Sequence, residues 1–182
     1  MFKLIVLDRD GVVNEDSPTY VKSPDEWHAI GGSLAAIAKL QRYGYKVVVA
    51  TNQSGIARHY FTTKTLALIH AKMMAQLEAT GGHRIDIFIC PHMPEDNCAC
   101  RKPKAGMLLQ AARQFDIDPK EMLVIGDSMR DIMAAKACGA TAVLVKTGNG
   151  EQTIKNEKLD VPIYANLAEA VDLFVLPLAL SC

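Results

Sequence analysis

Lys3 to Asn14 reads KLIVLDRDGVVN. The first half is a short aliphatic run of the kind that forms a strand covered on both faces. The second half sets Asp8 and Asp10 two positions apart where that run stops, with Gly11 behind them. Asp and Gly are ordinary turn residues, so the pair alone carries little weight. The same grammar recurs along the chain. Strands are expected at "KLIVLD" (3–8), "KVVVAT" (46–51), "IDIFIC" (85–90), "MLVIGD" (122–127) and "TAVLV" (141–145), with helices near 32–43, 63–79, 106–115 and 129–138. Gly81-Gly82 stops the second helix, and "DPKE", Asp118 to Glu121, has the form of a capping box.

Such alternation implies an α/β three-layer sandwich around a central parallel sheet with right-handed crossovers. In sheets of this kind ligands sit outside the carboxyl ends of the strands. Asp8, Thr51 and Asp127 close three of the expected strands, so distant parts of the chain place a carboxylate, a hydroxyl and a carboxylate on one rim. Turn chemistry alone does not require that coincidence.

The 182 residues are 49% hydrophobic and 22% charged, enough for one folded domain, 1–182, with a real core. Twenty basic residues balance twenty acidic ones, which argues against nucleic acid or an anionic membrane as partner. The N-terminus is charged too soon for a signal peptide. The apolar tail "VDLFVLPLALSC" is interrupted by Pro177 and too short for a membrane span, and reads as an amphipathic or docking segment. A cytoplasmic monomer is expected.

The rim has the parts for phosphoryl transfer. Phosphate monoesters are among the slowest substrates to hydrolyse unaided, so a nucleophile, a proton donor and concentrated positive charge must converge. Asp8 suits the nucleophile and Asp10 the acid/base. Asp8, Asp127 and the Asp10 carbonyl could hold Mg²⁺, which favours a few oxygens plus water. Thr51 offers a hydroxyl, and Arg101 and Lys102 offer a fork donor and a point charge. Thr51 by itself is more simply a β-branched strand residue, and Lys104 competes with Lys102.

"CPHMPEDNCAC" supplies Cys90, His92, Cys98 and Cys100, a donor set suited to tetrahedral structural Zn²⁺. Ordering about ten loop residues costs roughly 1–2 kcal/mol each, and a structural zinc returns about 10–16 kcal/mol. The loop is expected to order only with metal, and to carry Arg101 and Lys102 over the crevice. Cys138 reads as a packed helix residue and Cys182 as an incidental thiol. His28, His59, His70 and His83 show no partner pattern.

"DRDGVVN", "VVVATNQSG", "CRKPKAGM" and "VIGDSMRD" together resemble, in order, the four motifs of the haloacid dehalogenase (HAD) superfamily phosphatases. The resemblance implies a HAD-like Rossmannoid fold. Asp8 becomes the nucleophile, Asp10 the acid/base, Thr51 and Lys102 phosphoryl binders, and Asp127 a Mg²⁺ ligand. Asp131 is either a second acidic position or a loop organiser. Segments 9–45 and 91–121 leave no room for a large cap domain.

Within the superfamily, "TNQSGIAR", "CRKPxxGMLL" and "VKTGNG" resemble the phosphatases of heptose bisphosphates in ADP-heptose and lipopolysaccharide synthesis. That implies substrate contacts from Asp16, Ser17, Pro18, Thr19, Asn52, Gln53, Ser54, Arg101 and Ser128. The short His92-to-Cys98 gap and the "RKPK" run resemble the sister histidinol-phosphate phosphatases, so a sugar phosphate is favoured and histidinol phosphate is the alternative. A phosphoacceptor receiver domain shares the acidic rim, but strand three here ends in Cys90-Pro91 rather than an aspartate.

Overall fold

In the computed structural model, which describes residues 2–180, the sheet carries every expected strand and one more. β1 (Leu4–Leu7), β2 (Lys46–Asn52), β3 (Asp86–Cys90), β4 (Met122–Gly126), β5 (Thr141–Val145) and β6 (Ile163–Tyr164) run parallel in the order β3-β2-β1-β4-β5-β6. β1 is central, pairing Val6 with Val48 on one side and with Val124 on the other. Strand order reverses direction between β1 and β4, so the crevice opens at their carboxyl ends.

Strand periodicity sorts the core into two halves. Ile5, Leu7, Val47, Val49, Leu123, Ile125, Val143 and Val145 face α1 (Ser33–Arg42), α2 (Thr63–Ala79) and a C-terminal helical segment. Leu4, Val6, Val48, Ala50, Met122, Val124, Ala142 and Leu144 face α3 (Gly106–Phe115) and α4 (Met129–Cys138). Both faces are apolar, which is why the strands read as continuous runs rather than alternations.

Helix boundaries follow local chemistry. Thr62 caps α2 by accepting from the Thr65 N–H at 3.1 Å, and beyond Ala79 the chain leaves through Gly81 at φ 82°, as the glycine pair led one to expect. The 118–121 turn differs from expectation. Asp118 caps the 3₁₀ turn Pro119–Glu121, accepting from Lys120 N–H, but Glu121 does not reach back to complete a box. Its carboxylate pairs with Lys3 at 2.8 Å instead.

Periodicity did not reveal α5 (Gly150–Asn156), β6, or the C-terminal segment, in which α6 (Leu167–Ala170) passes through a π-helical turn, Val171–Val175, into α7 (Leu176–Leu180). β6 spans only two residues and exists by pairing with β5. The tail docks as expected: Val171, Val175 and Leu176 are buried while Leu173 is exposed. Cys182 lies outside the described residues.

The long 9–31 connection is anchored, not loose. Val12, Val13, Val21 and Trp27 sink into the core beside α1 and α2. Lys72 Nζ on α2 donates to the carbonyls of Pro24 (2.6 Å) and Trp27 (2.9 Å). Fully burying one such apolar side chain is worth about 1.5–3 kcal/mol, so the connection is held by packing.

Candidate active site

Asp8 and Asp127 each follow the last residue of a central strand, and the two strands are hydrogen-bonded neighbours. The Asp8 N–H still donates to Ile125 O at 3.0 Å, so the ladder fixes the carboxylate's starting direction. Gly11 has φ 82°, and a Cβ there would lie 2.1 Å from Asp127 Oδ2. Only glycine lets the first loop fold against the fourth strand's acid.

Lys102 is nearly buried, and its Nζ lies 3.0 Å from Asp8 Oδ1, 2.7 Å from Asp131 Oδ1 and 2.7 Å from the Ala50 carbonyl it donates to. The Asp131 Oδ2 accepts from both the Ser128 hydroxyl (2.7 Å) and the Ser128 N–H (3.1 Å), closing a capping box at the start of α4. Asp131 therefore organises the loop and anchors Lys102 at once.

Too many anions share this space for all to ionise freely. Burial, together with Asp131, Asp127 and Asp10, pushes Asp8 up to about 8 despite the opposing Lys102 charge. Burial and Asp131 push Asp127 up to about 6. Asp8, Asp127 and Asp131 each present a ligand atom, all within 4.8 Å of one another. Such a cluster fits a hard divalent cation, which would restore the carboxylates to their charged forms.

Asp10 is different. Burial works against its charge, but Arg9 and side-chain hydrogen bonds from Asn14 and Gln53 outweigh that and hold its carboxyl below the usual range. Asn14 Nδ2 donates to Oδ1 at 2.9 Å and Gln53 Nε2 to Oδ2 at 2.8 Å. Gln53 also donates to Thr51 Oγ1 at 2.9 Å, tying the β2 end to the acid.

The third connection brings Cys90, His92, Cys98 and Cys100 together. Sulfur–sulfur distances are 3.3–3.6 Å, and His92 Nδ1 lies 3.3 Å from Cys100 Sγ and 3.7 Å from Cys90 Sγ. These separations are far too long for a disulfide. They approach the edges, about 3.8 Å, of a tetrahedron with metal–sulfur bonds of about 2.3 Å. Arg101 Nη1 donates to the His92 backbone carbonyl at 3.1 Å, so the loop that carries the cluster also holds the guanidinium.

Known proteins resemble this chain over most of its length. The HAD-hydrolase-like family model matches residues 99–170. A D-glycero-β-D-manno-heptose-1,7-bisphosphate 7-phosphatase of Bordetella bronchiseptica is 55% identical over 152 residues, 84% of this chain and 85% of the relative. The chain belongs to this family of HAD-like phosphatases. The corresponding Neisseria meningitidis serogroup A enzyme is 44% identical over 93% of this chain and 90% of its own. A solved structure of D,D-heptose 1,7-bisphosphate phosphatase from B. bronchiseptica, complexed with magnesium and phosphate, superposes with TM-score 0.93 at 48% identity, covering 97% of this chain and 99% of that one.

In this phosphatase a cavity of about 210 Å³ is lined by Asp8, Asp10, Asp16, Ser17, Pro18, Thr51, Asn52, Gln53, Ser54, Arg101, Lys102, Asp127 and Ser128. Of the residues expected at the site, only Thr19 and the cysteine–histidine cluster stand outside it. Thr19 lies on an adjacent depression with Pro18, Tyr20, Lys22 and Tyr60. Asn52 has both ends of its amide committed to the Lys102 backbone, at 3.0 and 3.1 Å.

Three further residues at or beside this cavity had no signal in spacing. Asn149 gives its N–H to Asp127 Oδ2 at 2.7 Å, and its side chain donates to Asp16 Oδ2, also at 2.7 Å. The Thr147 hydroxyl donates to Gly11 O at 2.6 Å. Tyr20, at φ 66°, lies 3.3 Å from the Ser54 hydroxyl and edge-on to Tyr60. The quoted "VKTGNG" stretch contained two of these residues, but only the fold brings them to the acids.

Proposed function

We propose that this phosphatase removes the C7 phosphate of D-glycero-β-D-manno-heptose 1,7-bisphosphate, through an aspartyl-phosphate on Asp8, as a step toward ADP-heptose for a surface glycan. The observation that carries the reaction is Asp8 at a strand end, buried among acids, with Lys102 Nζ 3.0 Å away and Asp10 in the same cavity. The substrate rests on the 55% and 44% identical relatives, both named as phosphatases of the β anomer.

Asp8 Oδ1 is engaged by Lys102 and by the Arg9 N–H at 2.7 Å, while Oδ2 carries neither bond. A carboxylate oxygen of Asp8 attacks phosphorus and the bond from phosphorus to the C7 oxygen breaks. Asp10 delivers a proton to the departing alkoxide. Its donors favour the anion at rest, and the incoming phosphoryl charge opposes them and raises its proton affinity. Asp10, once ionised, takes a proton from water, which attacks the phosphorus and returns Asp8 as a carboxylate. Lys102, the Thr51 hydroxyl and Arg101 hold the phosphoryl oxygens during both transfers.

Asp8, Asp127 and the Asp10 carbonyl would hold Mg²⁺, which supplies charge neutralisation between the carboxylates and the phosphoryl group. Cys90, His92, Cys98 and Cys100 would hold a structural Zn²⁺ that fixes Arg101 at the rim. Asp16, Ser17, Pro18 and Ser54 recognise the sugar, with Asn52, Gln53 and Ser128 acting by holding Lys102, Asp10 and Asp131. A monomer in a reducing cytoplasm suits a thiolate-held metal loop. Among the described residues, no helix is long and apolar enough to cross a membrane.

The test is Mg²⁺-dependent phosphate release from both heptose bisphosphate anomers and from histidinol phosphate. The β anomer should give the highest kcat/KM. A clear preference for histidinol phosphate would refute the substrate assignment and leave the aspartyl-phosphate chemistry standing.

A further inference from the structure

Arg9, between the two aspartates, is completely buried although its charge is permanent. One edge of its guanidinium grips Asp10: Nη2 donates to Oδ1 at 2.8 Å and Oδ2 at 3.0 Å, and Nε to Oδ1 at 3.2 Å. The remaining nitrogen, Nη1, lies 3.2 Å from Nε2 of His70, on α2. His70 is only 9% exposed and does not line the cavity. An arginine can only donate, so His70 Nε2 must accept, which makes its ring neutral with the proton on Nδ1. Burial, reinforced by the Arg9 charge, pushes His70 down to about 4, in keeping with that tautomer.

We propose that His70 is a positioning residue for the phosphatase reaction, aiming the Asp10 carboxylate through Arg9. This rests on the reading of Asp10 as the acid/base. Asp10 can transfer a proton to the leaving oxygen only if its carboxylate is held within hydrogen-bond reach of it. Asn14 and Gln53 hold it from two sides, and the Arg9 fork sets the plane. Three bonds to Asp10 fix one edge of the fork, and the bond to His70 ties the remaining nitrogen. An α2 residue on the core side thereby sets the direction of a group on the rim.

The alternative is a satisfied core pair with no bearing on chemistry. Leaving groups separate the two. A sugar alkoxide needs a proton to depart, whereas p-nitrophenolate departs without one. On kcat/KM, which reports the steps up to loss of the leaving group, His70→Leu should fall about tenfold to a hundredfold with heptose bisphosphate. With p-nitrophenyl phosphate the same variant should change by less than about threefold. His70→Gln, which keeps an acceptor, should recover most of the loss. Asp10→Asn is the control and should show the same selectivity for the poor leaving group. Equal losses on both substrates, or no loss, with His70→Leu would overturn the proposal while Asp10→Asn stays selective. If Asp10→Asn is not selective, the acid/base reading fails and takes the proposal with it. A ¹⁵N spectrum of the wild-type protein needs no variant: His70 Nε2 must carry no proton at neutral pH, and a protonated Nε2 overturns the proposal.

Discussion

Replacing Lys102 by methionine keeps most of the side chain's volume and removes its charge where Asp8 and Asp131 both depend on it. Lys102 is 3% exposed, so solvent does not take over its role. Taking one partner from a buried ion pair costs about 3–5 kcal/mol, because the partner is left charged and unpaired. For a chain of this size that is a fall in Tm of about 6 to 20 °C. The cost depends on pH. Without the lysine, Asp8 and Asp131 hold their protons to higher pH in the folded protein than in the unfolded chain. The native state then binds the extra protons, so stability is kept at low pH and lost as pH rises. Urea titrations at pH 5 and pH 8 should show a small deficit at the first and the full deficit at the second. Phosphate release should fall by about 10²–10³, the usual consequence of removing one donor to a developing oxyanion. Lys104→Ala is the comparison, since Lys104 is exposed and its Nζ donates to the Asn97 carbonyl and side chain, away from the acids. It should keep stability and turnover and affect substrate affinity at most. A Lys102→Met deficit of equal size at both pH values, or a Lys104→Ala protein with the larger loss of turnover, would refute the assignment of charge.

Mg²⁺ should stabilise the protein more at pH 8 than at pH 6. Asp8 and Asp127 are raised from 3.8 to about 8 and about 6, so metal-free stability falls as pH climbs through that interval. Each proton the metal displaces adds about 1.4 kcal/mol of metal-dependent stability per pH unit. Equal thermal shifts at the two pH values would oppose a cation bridging these acids. Metal analysis should find one zinc per chain. Chelation, or Cys98→Ser, should open segment 91–101 to protease and lower activity, with the far-UV circular dichroism of the sheet preserved. A chelated protein that keeps both loop protection and turnover would refute the zinc assignment.

The sheet was legible because burial on both faces forces its strands to be written as unbroken aliphatic runs, and the residue that ends each run must meet solvent or ligand. Asp8, Thr51 and Asp127 could be placed on one rim from that alone, and the C-x-H…C-x-C spacing confined to one short loop four side chains that could hold a metal. β6 escaped notice because two residues have no periodicity, and α5 because "GEQTIKN" has too little apolar content to show a face.

What the sequence could not determine is which polar groups would have their hydrogen bonds satisfied by one another. Asn52, Gln53 and Ser128 read as free donors for a substrate, yet each commits bonds to Lys102, Asp10 or Asp131. Arg9 and His70 are 61 positions apart and carried no shared pattern, but burial leaves each with few partners besides the other. Local sequence sets where a strand stops and which atoms it offers there. The pairing of buried charges is a property of the closed interior, where an unpaired group is costly and distant residues must meet.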